Sequence, residues 1–330
     1  MSKPINTAMP SSTNASSNSD TDSPLITVVM PCFNAEVYLE EAVECVFKQS
    51  YPRVELIVVD DGSGDSSYAL LQQLAKKHPR LKVLQQENAG PYPARNLALA
   101  QAQGELIAFL DADDYWAPDC LSKLFKALLE GDADLSYCGW QNIVEGGEDG
   151  PPYIPPAYED GDIFAAFLKG CPWPIHAALT KRSLIEQAEG FSTRCFSSMD
   201  YDFWLRLSAI SQEIVRVPEV LAFYRWHNQG QISSIKWRQV IDALRVKTDF
   251  IAAQYRLLSH LSPAQLGDVT AGFITRQAYD AFWKRDLVSA QYLFRALLRN
   301  GYWKKADLKY ILPSLLPPPL FRGLVRLTGP

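Results

Sequence analysis

An apolar run that leads directly into three carboxylates is the feature that most constrains the fold of this chain. Residues 106–110 are all apolar, and Asp111, Asp113 and Asp114 follow within four positions. A short apolar run that stops at polar residues is typical of a buried strand in an α/β sheet. Ligands of such sheets bind beyond the carboxyl ends of the strands. The three acids are therefore predicted to lie at a ligand site.

The crowding of these carboxylates needs an electrostatic explanation. Acids this close together repel one another unless a cation or a basic group offsets their charge. Mg²⁺ or Mn²⁺ would do so, because both are hard cations that take oxygen ligands and usually share them with substrate phosphates. The alternative is a solvated acidic turn that precedes a helix near Pro118. The local sequence at 109–114 does not separate the two.

The residues before the acids alternate between apolar runs and amphipathic segments. Strands are predicted at 25–30, 54–59 and 81–84, each followed by a predicted helix. This alternation predicts parallel βαβ units. Polar loops follow the strands at 31–34, 60–63 and 111–114. Because the carboxyl ends of parallel strands share one edge of a sheet, we expect these loops to converge.

The side chains in these loops suit a nucleotide. The backbone next to Pro31 could hold a flat base with Phe33 stacked on it, and Asp60 or Asp61 could accept from the imide N–H of uracil. Arg95 is a candidate phosphate ligand, because a guanidinium forks onto phosphate oxygens. Each residue also has an ordinary alternative: a turn for Asp61, a solvated helix surface for Arg95 and the core for Phe33.

A second acidic point lies at Asp200 and Asp202, at the start of a predicted helix with apolar residues at 203, 204 and 207. An acid there could cap the helix and stabilise its dipole, or act as a general base. The spacing does not decide between the two acids. His227 follows a predicted strand at 220–224 and could bind metal or phosphate, although a lone histidine usually does neither. For Trp173 the core is favoured, and for His176 a structural role.

The chain is predicted to have three parts: a disordered tail at 1–23, an α/β domain at 24–237 and a helical extension at 238–330. Two packed helices are predicted on either side of 284–286. Residues 311–327 mix leucine, proline and arginine, so they could rest on a membrane surface. Packing back onto the domain is the favoured alternative.

Composition excludes several classes of protein. The net charge of −5 leaves no basic footprint for nucleic acid. Six scattered cysteines without a CxxC pair argue against a disulfide frame or a zinc site. No apolar run is long enough to cross a membrane, and the N-terminus lacks an apolar leader. We therefore expect a cytoplasmic protein, with peripheral contact at the inner face of a membrane as an option.

Six motifs in order resemble the family 2 glycosyltransferases, which are inverting enzymes with the GT-A fold. The motifs lie at 28–34, 59–63, 88–90 with 94–96, 109–114, 200–207 and 224–227. The resemblance implies a Rossmann-like α/β fold, with a mostly parallel sheet flanked by helices and followed by the helical extension. It covers about 25–233, so it says least about the extension.

The resemblance also implies roles for individual residues. Asp111-Ala112-Asp113 matches the DxD motif, in which Asp111 faces the ribose and Asp113 binds the metal, with His227 as a further ligand. Asp200 matches the catalytic base. The implied contacts to the nucleotide-sugar are Pro31, Phe33, Asn34, Asp60, Asp61, Asn88, Gly90, Arg95, Asp111 and Ala112. The chain departs from the family pattern at Met199, where Glu is usual, at Phe33, where Tyr is usual, and at 189–193.

The function implied is transfer of a sugar from a nucleotide-diphosphate donor, by family habit a UDP-sugar, to an acceptor hydroxyl with inversion. The reaction would depend on Mn²⁺ or Mg²⁺, and the acceptor would be a glycan or a lipid-linked glycan of the cell envelope. One rival is a nucleotidyltransferase, which needs a Gly-rich loop with lysine that 31–34 does not offer. The other is a non-catalytic carbohydrate-binding or scaffold protein, which the retained acids argue against.

Overall fold

The computed structural model describes residues 23–226 and 235–328, with side chains up to residue 325. Nearly all of the predicted tail, residues 1–22, lies outside the described residues. So does His227, for which the predicted role as a metal ligand remains a prediction.

A mixed sheet of eight strands forms the centre of the described chain. Its order is β3-β2-β1-β4-β7-β6-β8-β5. Four neighbouring pairs are parallel, while β7 runs antiparallel to β4 and β6, and β5 antiparallel to β8. The mostly parallel sheet predicted from the sequence is confirmed. The strands are β1 Ile26–Cys32, β2 Val54–Asp60, β3 Leu81–Gln85, β4 Leu106–Phe109, β5 Tyr115–Trp116, β6 Leu135–Val144, β7 Ala178–Lys181 and β8 Ile214–Trp226.

Helices cover the sheet on both faces, which is why its central strands are apolar throughout. Every residue of β1 and of β4 is buried. Strands buried on both faces lose the alternation of polar and apolar residues. The helices of this part are α1 Leu39–Phe47, α2 Ser67–Lys77, α3 Pro91–Leu99, α4 Cys120–Glu130, α5 Ile163–Phe167, α6 Arg182–Gln187 and α7 Met199–Ile210.

The register of the sheet brings three loops together. Cys32 at the end of β1 pairs with Asp60 at the end of β2. The amide of Asp61 then donates to the carbonyl of Cys32 at 2.8 Å, and the amide of Leu110 donates to Val29 at 3.1 Å. The loops after β1, β2 and β4 therefore lie at one edge, as predicted.

The structure has one strand, β8, where the sequence predicts two, at 213–217 and 220–224. Pro218 interrupts the apolar pattern, but the strand continues past it because its pairing with β6 shifts there, from Cys138 with Val217 to Gly139 with Val220. Strand β5 and helix α6 were not predicted. With two and six residues, both are too short to show a period.

Six helices form the C-terminal part, and they contribute to two hydrophobic cores. Phe250 of α8 packs in the core of the sheet, whereas Leu244 of the same helix packs in a second core with Phe294 and Phe321. The predicted helix pair on either side of 284–286 is confirmed as α10 and α11. The helices are α8 Lys236–Ala253, α9 Pro263–Gly267, α10 Phe273–Trp283, α11 Leu287–Arg299, α12 Leu308–Ser314 and α13 Pro318–Thr328, with a π-helical turn at Asp268–Gly272.

The segment 311–325 packs back on this second core through Ile311, Phe321 and Val325, all buried. That packing is the alternative the sequence favours. Among the described residues, no helix is both long and apolar enough to cross a bilayer.

Candidate active site

A cleft of about 1410 Å³ opens at the edge of the sheet where the three loops meet. It brings together nearly all of the residues that the sequence singles out, although they are spread over 170 positions of the chain. Among the described acids that the sequence singles out, Asp60, Asp114 and Asp202 are the exceptions. The cleft is lined by Pro31, Phe33, Asn34, Asp61, Asn88, Gly90, Arg95, Asp111, Ala112, Asp113 and Asp200.

The two acids after β2 face different ways. Asp60 is fully buried and accepts a hydrogen bond from Gln85 Nε2 at 3.1 Å. Asp61 lines the cleft, and its two carboxylate oxygens accept from the amides of Ala89 and Gly90, each at 2.8 Å. Of the two candidates for reading a base, Asp61 is the one a ligand in the cleft could reach.

The loop at 88–90 depends on glycine as well as on Asp61. Gly90 has φ = +96° and ψ = 170°, a region that essentially only glycine adopts. Its amide points at Asp61 and it lies directly before α3, a helix that starts with Pro91. The sequence marks 88–90 as a loop, and the structure shows that it forms part of the cleft wall.

The loop after β1 presents an aromatic ring to the cleft. The Phe33 side chain is 51% exposed, so the core alternative for this residue is wrong. Asn34 holds the loop in place: its backbone has φ = +49° and its Oδ1 accepts from the amide of Gly64 at 2.8 Å. Phe33 is therefore held by backbone contacts and remains available for stacking.

Arg95 is not the solvated helix residue of the alternative reading. Its side chain is only 4% exposed, and its guanidinium forms an ion pair with Asp111. The guanidinium carbon also lies 5.5 Å from the ring centre of Tyr92 and 5.6 Å from that of Phe191. The group is held between a carboxylate and two rings, and its predicted contact with phosphate remains a prediction.

The last acid of the cluster is turned away from the solvent. Asp114 is buried, its Oδ1 accepts from the amide of Arg225 at 2.8 Å, and its Oδ2 lies 3.2 Å from Nδ1 of buried His176. Burial raises the pKa of Asp114, and the charges of Asp113 and Asp111 raise it further. Burial lowers the pKa of His176 to about 4, so this imidazole is neutral near pH 7. His176 stacks on Tyr224, in keeping with a structural role.

The donor set suits a divalent cation shared with a ligand. Among residues 23–226 and 235–328, no three His, Cys, Asp or Glu side chains cluster as a complete metal site. Mg²⁺ and Mn²⁺ bound to phosphates need only one or two protein carboxylates. Asp113 lines the cleft, and after burial the neighbouring charges of Asp113 and Asp111 contribute to the raised pKa of Asp114. These observations fit the predicted metal, with Asp113 as its ligand.

The two acids at the start of α7 have different surroundings. Asp202 is buried, and its two oxygens pair with Arg194 and Arg206, each at 2.7 Å. Asp200 lines the cleft, in the first turn of the helix. Burial raises the pKa of Asp200 above its ordinary value, with Arg95 opposing the rise. A carboxyl with a raised pKa, open to a cleft, is suited to accept a proton near neutral pH.

The far wall of the cleft comes from the helical extension, which sequence reasoning did not predict. The contributing side chains are Gln239, Val240, Ala243 and Lys247 of α8, and Phe273 and Gln277 of α10. No local signal marks them, because they reach the cleft only through the packing of α8 on α7 and on the sheet core.

Trp173 is buried against Tyr137 with ring centres 4.2 Å apart, so the prediction that it belongs to the core is confirmed.

Lys247 is the unusual residue of this wall. It is buried, its Nζ donates to the carbonyl of Lys169 at 3.1 Å, and it lies 3.7 Å above the ring of Phe273. Among the described residues it has no carboxylate within ion-pair distance. Burial, with the nearby charge of Arg276, lowers its pKa from 10.5 to about 8.

We expect Lys247→Met to raise the free energy of unfolding by about 2 kcal/mol near pH 7, since the native chain would no longer bury a poorly compensated charge. Between about pH 8 and 10.5 the unfolded wild type holds a proton that the native state has lost, so wild-type stability rises with pH. The advantage of the variant should therefore shrink across that window.

Urea unfolding near pH 7 and near pH 10 would check this prediction. Lys126→Met, at an exposed position, is the matched control and should show no comparable change. A Lys247→Met protein less stable than the wild type near pH 7 would mean that the contacts with Lys169 and Phe273 outweigh the cost of burial.

Comparison with known proteins gives consistent matches. The profile described as Glycosyl transferase family 2 matches residues 27–193. A Bacillus subtilis glycosyltransferase assigned to teichuronic acid biosynthesis, TuaG, is 34% identical over 218 residues, which cover 65% of this chain and 84% of that protein. Among solved structures, S. aureus TarS 1-349 in complex with UDP-GlcNAc superposes with a TM-score of 0.61 at 20% identity, over 92% of this chain and 90% of that one.

A further match is the mannosyltransferase PcManGT from Pyrobaculum calidifontis in complex with GDP-Man and Mn²⁺. It superposes with a TM-score of 0.55 at 21% identity, over 94% of this chain and 88% of that one. At such identities the two structures show the fold alone. The similarity nevertheless extends over most of the chain, including the helical C-terminal part.

Proposed function

The chain belongs to glycosyl transferase family 2, and from that premise we propose that it transfers a sugar from a UDP-sugar to an acceptor hydroxyl with inversion. We propose further that the reaction depends on Mn²⁺ or Mg²⁺ and serves the synthesis of a cell-envelope glycan. The observation that carries the proposal is the cleft itself, whose lining includes Asp111, Asp113 and Asp200. The names of the relatives, with their UDP-GlcNAc, GDP-Man and Mn²⁺ complexes, support it.

The sheet side of the cleft is assigned to the nucleotide. Phe33 stacks on the base and Asp61 accepts its imide N–H, while the amides of Ala89 and Gly90 hold the Asp61 carboxylate in place. Arg95 acts mainly by holding Asp111 toward the ribose, since the two already form an ion pair. Asp113 would hold the divalent cation, which would supply positive charge to offset that of the diphosphate.

Asp200 is assigned as the base. The acceptor oxygen forms a bond to the anomeric carbon while the bond from that carbon to the diphosphate breaks, and the electron pair leaves with the diphosphate. The acceptor proton passes to the Asp200 carboxylate. One carboxyl suffices, because the departing diphosphate is stabilised by charge and needs no proton, unlike the leaving group in glycoside hydrolysis.

The acceptor is assigned to the part of the cleft lining formed by 193–201, which includes Asp200, and by helices α8 and α10. A glycan or a lipid-linked glycan is the proposed class. The extension would then help select the acceptor, and relatives that share only 27–193 could differ in this wall.

The test is a screen of nucleotide-sugars for release of free nucleoside diphosphate, with Mn²⁺ or Mg²⁺ and with EDTA. We expect slow, metal-dependent release of UDP from one donor, together with calorimetric binding of UDP that EDTA weakens. Release of pyrophosphate from a nucleoside triphosphate would identify a nucleotidyltransferase instead. Absence of both UDP binding and UDP release would refute the proposal.

A further inference from the structure

The charge of this chain is divided unevenly between its two parts. Residues 1–234 contain 17 Lys or Arg against 31 Asp or Glu, while residues 235–330 contain 15 against 6. The acidic overall balance therefore conceals a strongly basic C-terminal part. Such a part is attracted to anionic surfaces even though the whole protein is negative.

A group of leucines is exposed at the end of the same part. Leu312, Leu315, Leu316 and Leu320, here named the leucine face, are 59%, 51%, 37% and 60% exposed. Isolated exposed leucines are ordinary, but four within nine positions form a patch that calls for a partner.

The leucine face is presented by an ordered scaffold. Leu312 lies on α12 and Leu320 on α13, with Leu315 and Leu316 on the turn between them. Buried Ile311 on α12 and Phe321 on α13 anchor both helices in the second core. Nε and Nη2 of Arg295 on α11 donate to the carbonyls of Ser314 and Leu316, at 2.6 and 2.8 Å. The leucines are therefore exposed while the backbone that carries them is held in place.

Four exposed cations flank the leucine face along the chain: Lys304, Lys305, Lys309 and Arg322. The ion pairs formed by the described residues of 235–328 with one another are Arg245–Asp249, Arg276–Asp268 and Lys284–Asp280. None of them uses these four cations. Lys309 and Leu312 are three positions apart on α12, so they share one side of that helix.

We propose that the leucine face and its four cations bind the surface of an anionic lipid bilayer. The leucines enter the boundary between headgroups and acyl chains, and the cations lie at the level of the lipid phosphates. Exposed apolar residues bordered by Lys and Arg are the combination that holds helices in this interface. The absence of a spanning helix among the described residues fits attachment to one leaflet.

A second copy of the chain is the weaker candidate for this surface. A dimer formed through this face would bring eight cations close together, and their charges would repel one another. Four leucines also offer little area compared with the roughly 800 Å² that each partner buries in a stable dimer. An anionic bilayer supplies both the missing charge and the apolar phase.

The bilayer would also lie close to the acceptor wall. Helix α8 lines the cleft with Gln239 and Lys247, and Leu244 of the same helix shares the second core with Phe321 of α13. If the proposed function holds, this arrangement would keep the cleft beside lipid-linked acceptors. The membrane contact itself does not depend on that function.

Vesicle flotation with the full chain tests the proposal. We expect binding to vesicles with about 30% phosphatidylglycerol, none to pure phosphatidylcholine, and weaker binding as NaCl rises from about 0.1 to 0.5 M. K304Q/K305Q/K309Q should lower the partition coefficient roughly 100-fold. K304R/K305R/K309R should retain it. L312S/L316S should lower it by about tenfold or more.

The control is K48Q/K76Q/K126Q, which removes the same charge from exposed lysines elsewhere and should change binding less than about threefold. Thermal melts establish that each variant is folded, and UDP binding is measured alongside, so a failed membrane result is distinct from a failed donor site. Absence of flotation, an equal loss in the control, or unchanged binding by L312S/L316S would overturn the proposal. So would light scattering that shows a dimer which L312S/L316S dissociates.

Discussion

Asp200→Asn is expected to reduce turnover by roughly 100-fold or more while leaving donor binding nearly unchanged. Asparagine keeps the size of the side chain at the start of α7 but cannot take a proton from the acceptor. Asp200 lines the cleft, and its carboxylate forms no ion pair with an arginine or lysine among the residues that the structure describes. Its role should therefore show in the chemical step, measured as single-turnover transfer at saturating donor.

The pH dependence gives a second readout of the same assignment. Burial raises the pKa of Asp200, and a base works only when it is deprotonated. The rate should therefore fall on acidification at a pH above the ordinary range for a carboxyl group. In Asp200→Asn, the residual rate should no longer fall over this acidic pH range.

Asp202→Asn is the matched control, two positions along the same helix. The buried Asp202 carboxylate pairs with two arginines, so its loss should lower the free energy of unfolding by about 3 kcal/mol. The folded fraction should still turn over at close to the wild-type rate. Wild-type turnover by Asp200→Asn, or an equal loss of turnover by folded Asp202→Asn, would remove Asp200 from the role of base.

Asp113→Ala is expected to remove the contribution of metal to nucleotide binding. The side chain lines the cleft beside Asp111, whose carboxylate is already paired with Arg95. Asp113 is the acid that the resemblance to the DxD motif assigns to the cation. By calorimetry, the variant should bind UDP with Mn²⁺ about as weakly as the wild type binds it with EDTA.

Asp119→Ala controls for the loss of a nearby acid. Asp119 pairs with Lys123 at 2.7 Å and does not line the cleft, so the variant should keep the full effect of Mn²⁺. An Asp113→Ala protein whose UDP affinity still rises with Mn²⁺ would contradict the assignment. Loss of UDP binding both with and without Mn²⁺ would instead indicate a distorted cleft. Asp113→Asn, which keeps the size of the side chain, would then be measured in the same way.

Much of the fold was predictable because its signals are local. The apolar runs of β1, β2 and β4 are continuous, since helices bury both faces of those strands. Once the strands were predicted to be parallel, the convergence of the loops after them followed from geometry. The short elements β5 and α6 escaped prediction because two to six residues do not establish a period.

The candidate site was predictable as a set of positions but not as a set of orientations. Asp60 and Asp61 are neighbours and both are buried, yet Asp60 accepts from Gln85 whereas Asp61 lines the cleft. The sequence could not distinguish Asp200 from Asp202, because the partner Arg194 comes from a loop outside the helix. Orientation depends on which partners a side chain meets, and these partners are distant in sequence.

By itself, the sequence determined the strand and helix pattern, the acids at the ends of the strands and the family to which the chain belongs. Only the tertiary structure decided which acid of each pair reaches the cleft, that α8 and α10 close its far side, and that leucines of α12 and α13 stay exposed. The physical reason is the range of the interactions. Local periodicity records which side of an element is apolar, but not what that side packs against.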